Sequence, residues 1–110
     1  MGKQVYDKLV RDRIPEIIRA DGNSCEVQTL EDAEYLRRLE EKLKEELLEY
    51  LESGQLEELA DLLEVMMALV KAKGSSWQEL EHIRLGKHAK RGGFAKKLLL
   101  LTSVTREENK

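Results

Sequence analysis

From about residue 30 onward the apolar positions recur every three or four residues, the period of a helix that turns one side toward other protein. Leu36, Leu39, Leu43, Leu47 and Tyr50 carry this rhythm through a first segment, and Ser53-Gly54 interrupts it. In the next run, Leu56, Leu59, Leu63, Met66, Met67 and Val70 share one face. The pattern predicts a helix from Leu30 to Glu52 and a second from Gln55 to Lys73, closed by Gly74. Thr29, with Asp32 three residues on, is the expected N-cap of the first. Ser76 with Glu79 marks the start of a third helix, Trp77 to Arg91, before Gly92-Gly93 breaks the chain. Helices joined by so short a break as Ser53-Gly54 form an antiparallel hairpin.

The flanks are less regular. QVYDKLV reads as extended chain. Pro15 fits the first turn of a short helix, IPEIIRA, where its missing N–H is not needed, and Gly22 follows as the C-cap. CEVQTL reads as a short strand or an extended link, AKKLLLLTSV as a strand or short helix, and TREENK as a frayed tail. There is no internal repeat and no long linker. The expected architecture is therefore a single all-α domain over residues 1–110, an antiparallel helical bundle. It has an irregular N-terminal arm (1–28), a helical core (29–91) and a C-terminal segment (92–110).

Composition excludes several classes. With 41% hydrophobic residues, 37% charged residues and one proline, the chain is not of the disordered type. A net charge of -3 argues against a nucleic-acid polymer as partner. No apolar run reaches the roughly 18 residues a membrane span needs. The N-terminal stretch lacks the apolar centre of a signal peptide, so a cytoplasmic protein is expected. A single cysteine, Cys25, excludes an intrachain disulfide and a thiolate metal cluster, and is expected in the core. His82 and His88 fall about 120° apart on a helix, which gives no zinc pair. Met66, Met67, Trp77 and Phe94 read as core residues before any role in stacking on a base. Nineteen leucines make the core aliphatic, and association of copies is the expected way for so short a chain to bury more of it.

The acidic residues carry the candidate chemistry. Most of those between Glu31 and Glu52 belong to a solvated face. Glu46 lies at the edge of the apolar stripe of the first long helix, with Glu49 one turn on and Glu45 on the same flank. On the second helix Leu62, Val65 and Leu69 extend the apolar surface almost all round, and Glu58 and Asp61 flank Val65 within it. The hairpin gathers Glu46, Glu49, Glu58 and Asp61 at its turn end. Converging carboxylates need positive charge. A hard divalent cation with oxygen ligands supplies it, and so do salt bridges to Lys42, Lys44, Arg37 or Arg38; spacing leaves both open.

EELLE followed by ELAD, that is Glu45, Glu46 and Glu49 and then Glu58 and Asp61, resembles the acidic motif of the MazG-like all-α nucleoside triphosphate pyrophosphohydrolases. YDKLVRDRIPEII (6–18) and KRGGF (90–94) resemble the opening and closing signatures of a small subgroup labelled phosphoribosyl-ATP pyrophosphohydrolase-like. The resemblance spans residues 6 to 101. It implies an enzyme dependent on Mg²⁺, or Mn²⁺ in its place, that cleaves a nucleoside triphosphate between the α and β phosphates in nucleotide-pool house-cleaning. It also implies a homodimer or dimer of dimers. Glu46, Glu49, Glu58 and Asp61 would hold the metal, and Glu45 or Glu49 would take a proton from the attacking water. Lys8, Arg11, Arg13, Lys42, Lys90 and Arg91 are the candidate cations for the substrate's phosphates. Only Tyr50 to Glu57 separate the two acidic motifs, a short gap beside many relatives, so a base pocket would come from the arm or a second subunit. Two alternatives stand beside this reading: a phosphoribosyl-ATP pyrophosphohydrolase of histidine biosynthesis, and a non-catalytic helical interaction module.

Overall fold

A computed structural model describes residues 2–107. Its elements are four helices, α1 (Ile14–Ala20), α2 (Asp32–Ser53), α3 (Leu56–Ala72) and α4 (Trp77–Arg91), with no strand among the described residues. The chain is therefore all-α. It divides into two compact units, one ending at Trp77 and the other beginning at Gln78.

In the first unit, α1 is the IPEIIRA helix, with Pro15 in its first turn and Gly22 beyond its end at φ 86°. The Gly22 and Asn23 N–H groups donate to the carbonyls of Arg19 and Ile18, which satisfies the last turn. Helix α2 starts two residues later than its pattern suggested. Thr29 lies outside it, and the N-cap is Glu31, which is extended and makes no side-chain cap bond. The Thr29–Asp32 capping box therefore does not form; Asp32 and Glu34 instead place negative charge in the first turn, where the helix dipole favours it. At the other end Gly54 takes the left-handed conformation, φ 67°, and its N–H donates to the Tyr50 carbonyl. That one residue reverses the chain, and α3 begins at Leu56. CEVQTL is irregular chain, not a strand.

Helix packing in this unit is α2 against α3. Leu39 (3% exposed) and Val65 (8%) are the buried apolar residues among those described. Val65 decides how α3 is turned. Its companions toward α2 are Glu58, Asp61, Leu62 and Leu69, all half-buried. The larger apolar face is on the outside: Leu56, Leu59, Leu63, Met66 and Met67 are exposed. The expectation that Met66 and Met67 fill the core is thus overturned by the rotation of α3. On α2 the stripe holds at Leu36, Leu39, Leu43 and Tyr50, while Leu47 is exposed. Cys25 is half-buried beside the Pro15 carbonyl.

In the second unit, α4 ends at Gly92, φ 78°, whose N–H donates to the His88 carbonyl. A Cβ on Gly93 would sit 3.3 Å from His88 Nε2, so glycine lets the chain pass the imidazole ring. AKKLLLLTSV forms neither strand nor helix. Lys97 takes φ 59°, no strand among the described residues pairs with it, and Leu98 to Leu101 are exposed. Phe94, expected in a core, is 97% exposed, and Trp77 of the first unit is also exposed. The last three residues of TREENK lie outside the described residues.

Gly54→Ala tests the hairpin turn. No atom would crowd the new Cβ, so only the left-handed backbone is strained, which costs about 1–2 kcal/mol. A urea melt should show a lower midpoint at unchanged slope, with Gly54→Asn losing less.

Candidate metal centre

Three acids meet where α2 and α3 leave the turn. Single carboxylate oxygens of Glu46, Glu58 and Asp61 all lie within 4.8 Å of one another. The 3.6-residue period explains the convergence: Glu58 and Asp61 are one turn apart on the α3 face that carries Val65, and Glu46 faces them from α2. Glu49, one turn after Glu46, adds its negative charge beside both Glu46 and Glu58.

Glu46 is not at the edge of the stripe but in its buried part, at 7% exposure. Its Oε2 is buried with no hydrogen-bond partner. Its Oε1 is 3.5 Å from Lys42 Nζ, one turn back. Burial, then the neighbouring Glu49, holds the Glu46 carboxyl above its usual range, and Lys42 offsets this only in part. Glu58 is raised as well, by its removal from water and by the charges of Glu49 and Asp61.

The cations stand at the margin. Lys8 Nζ donates to Glu45 Oε1 at 3.0 Å, and Lys42 Nζ is 3.4 Å from Glu45 Oε2. Partial burial pushes Glu45 up, but the two lysines outweigh it and hold the carboxyl below its usual value. The hydrogen bond to Glu45 in turn raises the Lys8 ammonium. Arg11 Nη2 donates to Asp61 Oδ1 at 2.6 Å. The arm thus brings Lys8 and Arg11 to the acids, and Lys42 faces them from α2.

Other candidates are engaged elsewhere. Arg13, the N-cap of α1, pairs with Glu16 at 2.7 Å. Arg37 binds Glu34 and Glu41, and Arg38 binds Glu34 and Asp7, so neither arginine compensates the four acids as spacing allowed. Together they hold the Glu34 carboxyl down to about 2. Lys90 and Arg91 are exposed in the last turn of α4, in the second unit.

One feature escaped the sequence reading. Arg38, half-buried on α2, donates to both the Asp7 carbonyl (2.8 Å) and Asp7 Oδ1 (3.1 Å). Asp7 is held at φ 45°, in the left-handed region that aspartate tolerates better than most residues. The contact joins residues 31 apart in sequence, and no periodicity signals it.

The donor set suits a hard divalent cation. It offers three convergent carboxylates, one of them with a buried oxygen that lacks any donor, at the oxygen-only chemistry Mg²⁺ and Mn²⁺ prefer. The fit rests on Glu46, because acidic clusters alone are common on helical surfaces.

Two outcomes follow. In metal-free protein Glu46→Gln should raise thermal stability, by about 1–3 kcal/mol, because it removes a buried charge whose oxygen no donor meets. The gain should fade as pH falls through the raised Glu46 range: a carboxyl raised on folding destabilises above its folded pKa, and protonation relieves the wild type. Second, Mn²⁺ affinity measured by titration calorimetry should begin to weaken at a pH above 4.5, since protons compete for Glu46 and Glu58 above the usual carboxylate value.

No family model and no solved structure matches the chain. A protein of Mycolicibacterium smegmatis described as uncharacterized is 55% identical over 42 residues, which is 38% of this chain and 43% of that protein. The chain is thus similar to that relative over less than half the length of either.

Proposed function

We propose that the turn end of the α2–α3 hairpin holds a divalent cation and that the protein is a Mg²⁺-dependent nucleoside triphosphate pyrophosphohydrolase. The observation that carries this reading is Glu46: a carboxylate 7% exposed, with an orphaned oxygen, beside Glu58 and Asp61. The resemblance of EELLE…ELAD and its two flanking signatures to the MazG-like enzymes supports the choice of reaction.

Water attacks phosphorus, the α–β anhydride P–O bond breaks, and the products are a nucleoside monophosphate and pyrophosphate. Held by Glu46, Glu58 and Asp61, Mg²⁺ would supply charge neutralisation for the phosphate oxygens and a lowered pKa for a water. The chain's own groups divide the remaining work. Glu46, Glu58 and Asp61 are the metal ligands. Glu49 is the better general base of the two candidates. Glu45 is held by Lys8 and Lys42 below its usual pKa, which makes it a poor proton acceptor, while Glu49 follows the ligand Glu46 by one turn of α2. Lys8, Arg11 and Lys42 line the rim where a polyphosphate would lie, and its transfer chemistry needs position and charge more than a nucleophilic side chain.

The functional unit is an oligomer, at least a homodimer. The outer face of α3, with Leu56, Leu59, Leu63, Met66 and Met67 exposed, is the support for this. A second α2–α3 hairpin against that face makes a four-helix bundle.

With Mg²⁺ and a panel of nucleoside triphosphates, wild type should release pyrophosphate from at least one. Glu49→Gln should lower kcat by roughly 10²–10⁴ while leaving Mn²⁺ binding intact. Glu46→Gln and Asp61→Asn should lose both. Absence of release from every nucleotide would favour the non-catalytic helical module. Sedimentation equilibrium should give at least twice the 12.7 kDa chain mass.

A further inference from the structure

Between Asp7 and Arg11 the arm makes three side-chain contacts with α2 and α3. Arg38 grips Asp7 through two hydrogen bonds, Lys8 meets Glu45, and Arg11 meets Asp61. The last contact differs in kind. Glu45 is not among the three converging carboxylates and already shares Lys42. Asp61 is one of the three, and Oδ1, which Arg11 holds at 2.6 Å, belongs to the carboxylate that faces Glu46 and Glu58. Arg11 thus occupies an acid that the site offers to a cation.

An ion among Glu46, Glu58 and Asp61 changes the balance at that contact. It brings two positive charges beside the guanidinium and draws on the same carboxylate. The ion pair is solvent-accessible, so Arg11 leaves it without stranding a buried charge. Arg11 does not leave the neighbourhood. Asp7, four residues earlier, stays fastened to Arg38, and Pro15 opens α1 four residues later. The freed guanidinium remains near the ion with its planar fork of donors unpaired. That fork matches the oxygens of a phosphate chain.

We propose that Arg11 is a counter-ion that changes partners. It neutralises Asp61 while the divalent cation is absent, and it passes to the anionic oxygens of a polyphosphate once the cation takes Asp61. This deepens the metal-centre reading and rests on it. Two consequences follow from linkage. Arg11 competes with the ion in the absence of substrate, and ion and polyphosphate bind with positive cooperativity. Glu46, with no donor on Oε2, remains available to the ion throughout the exchange.

The test uses the full chain and calorimetric titration, first with Mn²⁺ alone and then with inorganic tripolyphosphate added to metal-loaded protein. Arg11→Gln and Lys8→Gln each remove one positive charge from the same margin. Arg11→Gln should bind Mn²⁺ at least fivefold more tightly than wild type, and Lys8→Gln should stay within twofold. Metal-loaded Arg11→Gln should bind tripolyphosphate at least tenfold more weakly than wild type. Arg11→Lys keeps the charge and should keep wild-type Mn²⁺ affinity, which guards against a folding defect in the glutamine variant. Equal tightening by both glutamine variants would mean that net charge alone acts, and would overturn the exchange. So would unchanged Mn²⁺ affinity in Arg11→Gln. If wild type and variants all bind no Mn²⁺, the metal-centre reading itself fails, an outcome distinct from the other two.

Discussion

The first unit is organised around one expensive burial. Glu46 sits in the stripe of α2 where an apolar residue would pack most easily, and its Oε2 meets no donor. Lys42 at 3.5 Å is beyond good hydrogen-bonding distance for a charged pair and leaves the compensation incomplete. Glu49 and Asp61 add to the difficulty, since each pushes Glu46 toward its protonated form. An ionised carboxylate taken out of water and met only in part is tolerated where another requirement keeps it. The hairpin therefore carries electrostatic stress at its turn end that a proton or a cation relieves.

That burial is tied to the rotation of α3. Turning Val65 toward α2 brings Glu58 and Asp61 to the same side, because they lie two turns and one turn before it, respectively. The same rotation leaves the leucine and methionine face of α3 uncovered. A hairpin whose buried apolar residues, among those described, are Leu39 and Val65 has little apolar packing of its own, and isolated helices of this length draw most of their stability from tertiary contacts. The proposed oligomer and the proposed metal site thus have a common origin in how α3 is turned.

The arm completes the charge pattern without helix packing. Arg38, itself fixed by Glu34, fastens Asp7, and the following residues deliver Lys8 and Arg11 to the acids. Exposed ion pairs of this kind contribute little stability singly. Their value lies in placement, since they put exposed positive charge at the rim of a cluster whose buried member lacks a donor.

Periodicity alone determined the long helices to within two residues. It also determined the break at Gly54 and the gathering of Glu46, Glu49, Glu58 and Asp61 at one end of the hairpin, because these follow from local repeat and turn chemistry. Pro15 marked α1 for the same reason. The Thr29 cap, a regular element in AKKLLLLTSV and core places for Met66, Met67 and Phe94 did not materialise. Helix α3 is apolar nearly all round, so its sequence leaves the choice of buried face open. Packing against α2 made that choice, and with it the depth of Glu46. The engagement of Asp7 by Arg38 and of Asp61 by Arg11 spans 31 and 50 residues. No local pattern encodes such distances, so only the three-dimensional arrangement of arm and hairpin could decide which cation meets which acid.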